Sequence, residues 1–188
     1  MKIDKTEVFG FRAAFRGMRN PYNSWEKSDS CVCINGFNVG PKDIELAQGL
    51  IAQGAEHSKF LRFITVYADI EAPLYFWKEF DTYKYMEKNS CSTMHKILSR
   101  PLTKDDFEHE MWSIERENQL ARINILIKEK RFREVIQELP SSYLQKRTIV
   151  TNYAELRNIR KQRVGHKLIE WHQVVAWIDS LEYSELLK

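Results

Sequence analysis

Residues 152–171 of the chain read NYAELRNIRKQRVGHKLIEW, and the reading of this stretch organises the rest. Asn152 followed three residues later by Glu155 is a helix-opening signal, in which the asparagine side chain accepts a hydrogen bond from an unpaired N–H of the first turn. Leu156 and Ile159 then recur at helical spacing. Arg157, Arg160, Lys161, Arg163, His166 and Lys167 follow on the same run. Arg160, Arg163 and Lys167 stand at i, i+3 and i+7, so three cations share one helical face and can meet a phosphate or an acidic partner. A solvated face is the commoner fate of such a run, and Glu155 and Glu170 at its ends favour that reading. Tyr153 and Trp171 are interleaved with the cations, a pattern that nucleic-acid-binding helices also show.

Outward from this helix, Leu168, Trp171, Val175 and Ile178 predict that the C-terminus continues helically. Upstream, Thr103 is a good N-cap with Asp105 and Asp106 in the first turn, and Phe107, Met111, Ile114, Ala121 and Ile125 predict the longest helix of the chain. Pro73 opens another, with Leu74, Trp77, Phe80 and Lys84 on one line and Tyr75, Phe76 and Tyr83 beside it. Phe63, Ile64, Thr65, Val66 and Tyr67 predict a strand between Phe60 and Ile70. Pro41 starts a helix through Ile44, Ala47 and Ile51 that stops at Gly54, preceded by turn chemistry at Asn35-Gly36 and Gly40-Pro41. Val8 to Met18, with Phe9, Phe11 and Phe15 among Gly10, Arg12 and Arg16, reads as a strand. These elements predict an α+β fold, a small antiparallel sheet packed with several long helices, in a single domain over residues 1–188.

The composition agrees. Of 188 residues 43% are apolar, with ten Phe, eight Tyr and five Trp, enough for a sizeable core and too many for a disordered chain. The 29 Lys and Arg against 26 Asp and Glu leave a net charge of +3, which excludes a polyanion wrapper or a polybasic membrane binder. No apolar run approaches the roughly 18 to 20 residues that span a bilayer. Cys31, Cys33 and Cys91 are an odd count without an apolar leader, so reduced thiols and a cytoplasmic setting are expected. Cys31-Val32-Cys33 lacks a second ligand pair, so buried structural thiols are expected rather than a metal site, and no metal is expected elsewhere. His109-Glu110 lacks the second histidine of a zinc-protease helix and reads as a surface dipeptide. The seven glycines are scattered, forming neither a phosphate loop nor a nucleophile elbow.

Two stretches resemble the flavin-dependent thymidylate synthase family, the ThyX fold. The first runs from His57 through Ala72-Pro73 and the helix that follows to Asn89-Ser90-Cys91-Ser92. The family has there a histidine, an Ala-Pro pair opening a helix with a Gln and an Arg-His-Arg triplet, and then Asn-Glu-x-Ser. The Gln position is Glu79 and the triplet reads Thr82-Tyr83-Lys84. The second stretch joins Leu139-Pro140 to Asn152, Leu156, Asn158, Arg163, His166 and Glu170, in the family's order. The resemblance implies a homotetramer that holds FAD between subunits, takes hydride from NADPH, and methylates dUMP or a related pyrimidine nucleotide with methylenetetrahydrofolate as carbon source. It implies no cysteine nucleophile, no membrane and no nucleic acid as partner. Arg163 matches the catalytic arginine at the uracil edge, where a fixed cation stabilises charge developing on the ring. Ser92, Glu79 and Lys84 fall with Arg163 among the substrate-binding positions. His57, Thr82, Tyr83, Lys84, Asn152 and Asn158 fall at cofactor-binding ones.

The departures from the family lie where ligands carry most charge. Thr82 and Lys84 replace two arginines, so one cation is gone and the other has lost its planar fork. Tyr83 replaces a histidine, Ser90 a glutamate, and Ile136 an arginine, with Arg133 nearby. Losing two charge-assisted phosphate contacts at about 1.5 to 3 kcal/mol each weakens a phosphorylated ligand by orders of magnitude unless Lys84, Arg62 and Arg133 replace them. Two readings therefore stand, a diverged flavin-dependent pyrimidine-nucleotide methylase and a homologue of the same fold that has lost the reaction and binds flavin or nucleotide or serves structurally.

Overall fold

Gly10 sets the first corner of the chain. In the computed structural model, which describes residues 1–34 and 36–188, Gly10 takes φ 101°, and a Cβ there would stand 2.1 Å from the carbonyl oxygen of Phe63. Any side chain is thus excluded by backbone conformation and by space. Before it runs β1 (Lys2–Phe9) and after it α1 (Phe11–Met18). The expected single strand from Val8 to Met18 is corrected accordingly. Phe11, Ala14, Phe15 and Met18 are buried at helical spacing, a period that the neighbouring phenylalanines obscured.

The chain continues through the short hairpin β2 (Cys31–Cys33) and β3 (Gly36–Asn38), α2 (Pro41–Ala52), β4 (Thr65–Pro73), α3 (Leu74–Phe80), β5 (Glu87–Ser90) and α4 (Thr93–Lys96). It ends with α5 (Ile114–Lys128), α6 (Phe132–Glu138), β6 (Leu144–Asn152), α7 (Tyr153–Arg163) and α8 (Ile169–Asp179). The four longer strands form an antiparallel sheet in the order β1-β4-β6-β5. The α+β class with a small antiparallel sheet is therefore what the chain adopts. Among the described residues no helix is long and apolar enough to cross a membrane.

Several boundaries move. The strand expected from Phe60 begins at Thr65, because Lys59–Phe63 form a 3-10 turn that buries Phe60 and Leu61. Pro73 does precede a helix, but α3 stops at Phe80, four residues short of Lys84. Thr103 caps only one turn, Lys104–Asp106, closed by Asp106 accepting the Thr103 N–H at 2.7 Å. The long helix α5 starts instead behind Ser113. Of its expected apolar line, Phe107 is buried ahead of the helix, but Ile114 and Ile125 on α5 and Met111 before it are more than half exposed, while Leu120, Ile123, Leu126 and Ile127 are buried. The expected Asn35-Gly36 turn involves Asn35, which lies outside the described residues. Cys31, Cys33 and Cys91 are all exposed, which corrects the expectation of buried thiols. His109 is half-buried with its ring 5.0 Å from that of Trp112, so it is not a plain surface residue.

The contacts divide the chain into two compact units. The first comprises Met1–Asp4, Asp69–Thr82 and Lys88–Thr148. Its core gathers Ile97, Leu102, Phe107, Leu120, Ile123 and Val135, and the Asn124 amide brackets both backbone groups of Leu102 at 2.8 and 3.0 Å. The second comprises Lys5–Ala68, Tyr83–Glu87 and Ile149–Lys188. There Phe11 meets the rings of Tyr153 and Tyr183 edge-on, and Phe15 lies against Phe60. Burial pushes the Tyr153 phenol well above its ordinary value, and its hydroxyl donates to the Glu182 carbonyl at 2.5 Å.

Candidate functional site

Helix α7 begins as its sequence demands. The Asn152 side chain accepts the Glu155 N–H at 3.0 Å, which satisfies one of the unpaired donors of the first turn. Tyr153, Leu156 and Ile159 turn fully inward, so Asn158, Lys161 and Gln162 are left in solvent. The helix ends at Arg163, and Gly165 follows at φ 77°. Lys167 therefore lies beyond the helix, and the expected face shared by Arg160, Arg163 and Lys167 does not form. Arg160 is committed elsewhere, its Nε donating to Asp179 on α8 at 2.7 Å. Tyr153 and Trp171 are both wholly buried, so neither offers a ring to a nucleic-acid base.

Arg163 is held on several sides. Its guanidinium lies over the Trp171 ring at 4.3 Å and near the Tyr83 ring at 5.5 Å, and the two rings meet edge-on. Such stacking on partly desolvated rings holds a guanidinium in a defined position. The Arg163 Nε donates to the Tyr83 hydroxyl at 2.8 Å, Tyr83 donates to Gln162 Oε1 at 3.1 Å, and Gln162 Nε2 donates to Asn158 Oδ1 at 2.9 Å. A continuous series of hydrogen bonds thus links Asn158 to Arg163. Tyr83 is only 5% exposed. It supports Arg163 from one side.

Asn158 also lines a cleft of about 420 Å³ in the same unit, with Ala55, Ser58, Arg62, Asn152, Arg157 and Lys161 around it. Asn152 and Asn158 each use the amide oxygen within α7, so their NH2 groups are the donors that the cleft retains. Arg62 and Lys161 are exposed, while Arg157 Nε reaches the carbonyl of Lys188 at 3.1 Å. Three cations and two amides outnumber the one lining carboxylate, Glu155, which suits an anionic ligand with a polar ring edge, and the volume falls within the usual span of small-molecule sites. This donor set fits the phosphates and ring edge of a flavin nucleotide. His57 is exposed between the lining residues Ala55 and Ser58 without itself lining the cleft, and Lys84 is exposed on the turn after Tyr83.

The remaining expected residues belong to the first unit. Thr82 donates its hydroxyl to the Glu79 carbonyl at 2.7 Å, closing the end of α3. Ser92 caps α4, accepting the His95 N–H at 3.2 Å and meeting His95 Nδ1 at 2.7 Å. Of the sequence-derived set, the structure brings together Tyr83, Asn158 and Arg163, with Asn152 and Arg62 in the adjoining cleft. Gln162 and the packing role of Trp171 were missed, although the Asn158 and Gln162 spacing of four residues on a helix was a usable sign.

No known sequence family matches the chain, and no curated protein resembles it in sequence. Solved structures do. The flavin-dependent thymidylate synthase ThyX from Helicobacter pylori, complexed with FAD and dUMP, superposes with a TM-score of 0.78 over 100% of this chain and 98% of that one, at 19% identity. A second structure of the same enzyme, also with FAD and dUMP, gives 0.78 at 18% identity. The UMP/dUMP methylase PolB from Streptomyces cacaoi, bound with 5-Br dUMP, gives 0.66 over 95% of this chain and 89% of that one, at 13% identity. The likeness extends along the whole chain and is one of fold.

Proposed function

From the fold shared with flavin-dependent thymidylate synthases, we propose that this protein binds a flavin and a pyrimidine nucleotide in its second unit, and methylates the nucleotide reductively. The observation that supports the reading best is the series from Asn158 through Gln162 and Tyr83 to Arg163, which ties a stacked cation to a cleft of cations and amides. In this reading Arg163 bonds the uracil edge, and its fixed charge stabilises the ring as C5 becomes nucleophilic. Arg62, Arg157 and Lys161 hold phosphates, Asn152 and Asn158 donate to the flavin edge, and Lys84 takes a nucleotide phosphate. His57 keeps the cofactor-side role that the resemblance implies. FAD, when bound, supplies the redox capacity between NADPH and the nucleotide, with methylenetetrahydrofolate as carbon source. A cleft of about 420 Å³ takes part of a dinucleotide, so a homotetramer whose subunits share each site completes the assignment.

One observation favours the second reading, a binding protein without the synthase reaction. Thr82, at a position where the family holds a phosphate with an arginine, closes α3 through the Glu79 carbonyl instead. Visible absorbance of the purified full chain, with its thermal unfolding in added FAD and dUMP, tests the ligand class, since a ligand bound only by the folded state raises the midpoint. Flavin absorbance or a FAD-dependent shift is expected. A colourless protein indifferent to both ligands contradicts the proposal, and a flavoprotein that forms no methylated nucleotide from dUMP, NADPH and methylenetetrahydrofolate selects the second reading.

A further inference from the structure

The β2–β3 hairpin carries chemistry that the nucleotide site does not use. Cys31 and Cys33 are two residues apart on β2, so their side chains leave the same face of the strand. Their Sγ atoms are 3.2 Å apart, and both thiols are exposed. Val32 between them and Ile34 after them are also exposed, so burial gives no reason for a cysteine at either position. The base of the strand is anchored. Ser30 donates its hydroxyl to the buried Asp43 at 2.5 Å and accepts the Gly40 N–H at 2.9 Å, and Asp43 is paired with the buried Arg19, whose Nε donates at 2.6 Å. The two sulfurs are thus presented together on a fixed stem.

We propose that Cys31 and Cys33 form a reversible dithiol site, oxidised to an intrachain disulfide by exchange with a low-molecular-weight disulfide of the glutathione class. The Cys33 thiolate attacks one sulfur of glutathione disulfide, whose S–S bond breaks and releases one glutathione thiolate, which takes up a proton. Cys31 then gives up its proton and attacks Cys33 Sγ of the mixed disulfide, expelling the second glutathione. Two protein thiols are oxidised to one disulfide, and glutathione disulfide is reduced to two thiols. The two sulfurs are in contact, so a mixed disulfide on either cysteine lies within reach of the other thiol. Two residues of strand separate the Cα atoms by about 6.6 Å, near the upper limit for a bridge, so the closed form is strained and readily reduced. Reversible exchange rather than a permanent crosslink follows.

The test equilibrates the full chain in glutathione buffers of increasing oxidised share, traps free thiols by alkylation and weighs the peptides. The Cys31–Cys33 peptide is expected to lose two hydrogens without retaining glutathione, and to regain them in reduced glutathione. Cys33→Ser should stop at glutathione on Cys31, Cys31→Ser at glutathione on Cys33, and Cys91→Ser should behave as wild type. The proposal is overturned if wild type carries glutathione on both residues with no internal bond, or if the peptide stays reduced where Cys91 has become glutathionylated. Exposed positions on a short hairpin tolerate serine, and unchanged far-UV circular dichroism of each variant checks this.

Discussion

The two cationic corners near the end of α7 are built from identical side chains one turn apart, yet they are different chemical objects. Arg160 meets a carboxylate on the neighbouring helix, its Nε 2.7 Å from Asp179 with both side chains partly exposed. Arg163 is stacked against Trp171 and Tyr83 and bonded to a phenol that passes the contact on to Gln162 and Asn158. The first arrangement neutralises a charge in a screened setting and contributes little. The second holds a guanidinium by ring packing and a phenol hydrogen bond, a setting that salt screens far less. A run of basic residues is therefore not one site, and the distinction lies in what each cation packs against.

The sharpest way to break the contrast is to remove its wall. Trp171 is fully buried, so Trp171→Ala should cost about 3 to 5 kcal/mol of stability by urea denaturation and also release Arg163. Tyr83→Phe keeps the ring but deletes the hydroxyl that accepts from Arg163 and donates to Gln162. It should cost about 1 to 2 kcal/mol and weaken nucleotide binding severalfold, read by denaturation and by titration. Asp179→Asn tests the other corner. Its cost should stay below about 1 kcal/mol and vanish in high salt, whereas the Tyr83→Phe effect should persist there. A salt-sensitive Tyr83→Phe effect would remove the distinction between the corners.

How far the sequence foretold this depends on the reach of each interaction. The start of α7 was legible because Asn152 and Glu155 are three residues apart and the capping bond is local. The surroundings of Arg163 were not, because its phenol partner is 80 residues earlier in the chain. The resemblance marked Tyr83 as a position of interest, but its packing against Trp171 cannot be read from one side chain. On α5 the periodicity itself misled. Ile114 and Ile125 keep helical spacing as well as Leu120, Ile123 and Ile127 do, and only packing decides which line is covered. The cysteines failed for the reverse reason. Their usual preference for burial is a property of residue type, and it was overridden on a three-residue strand with no core beneath it.

The central claim is that Arg163, and not its neighbour, receives a pyrimidine nucleotide. Calorimetric titration of dUMP into wild type, Arg163→Ala and Arg160→Ala, each in the presence of FAD, tests it most directly. Arg163→Ala is expected to weaken binding by about 10- to 100-fold and Arg160→Ala by less than about threefold. Equal small losses in the two variants, or no dUMP binding by wild type, would contradict it.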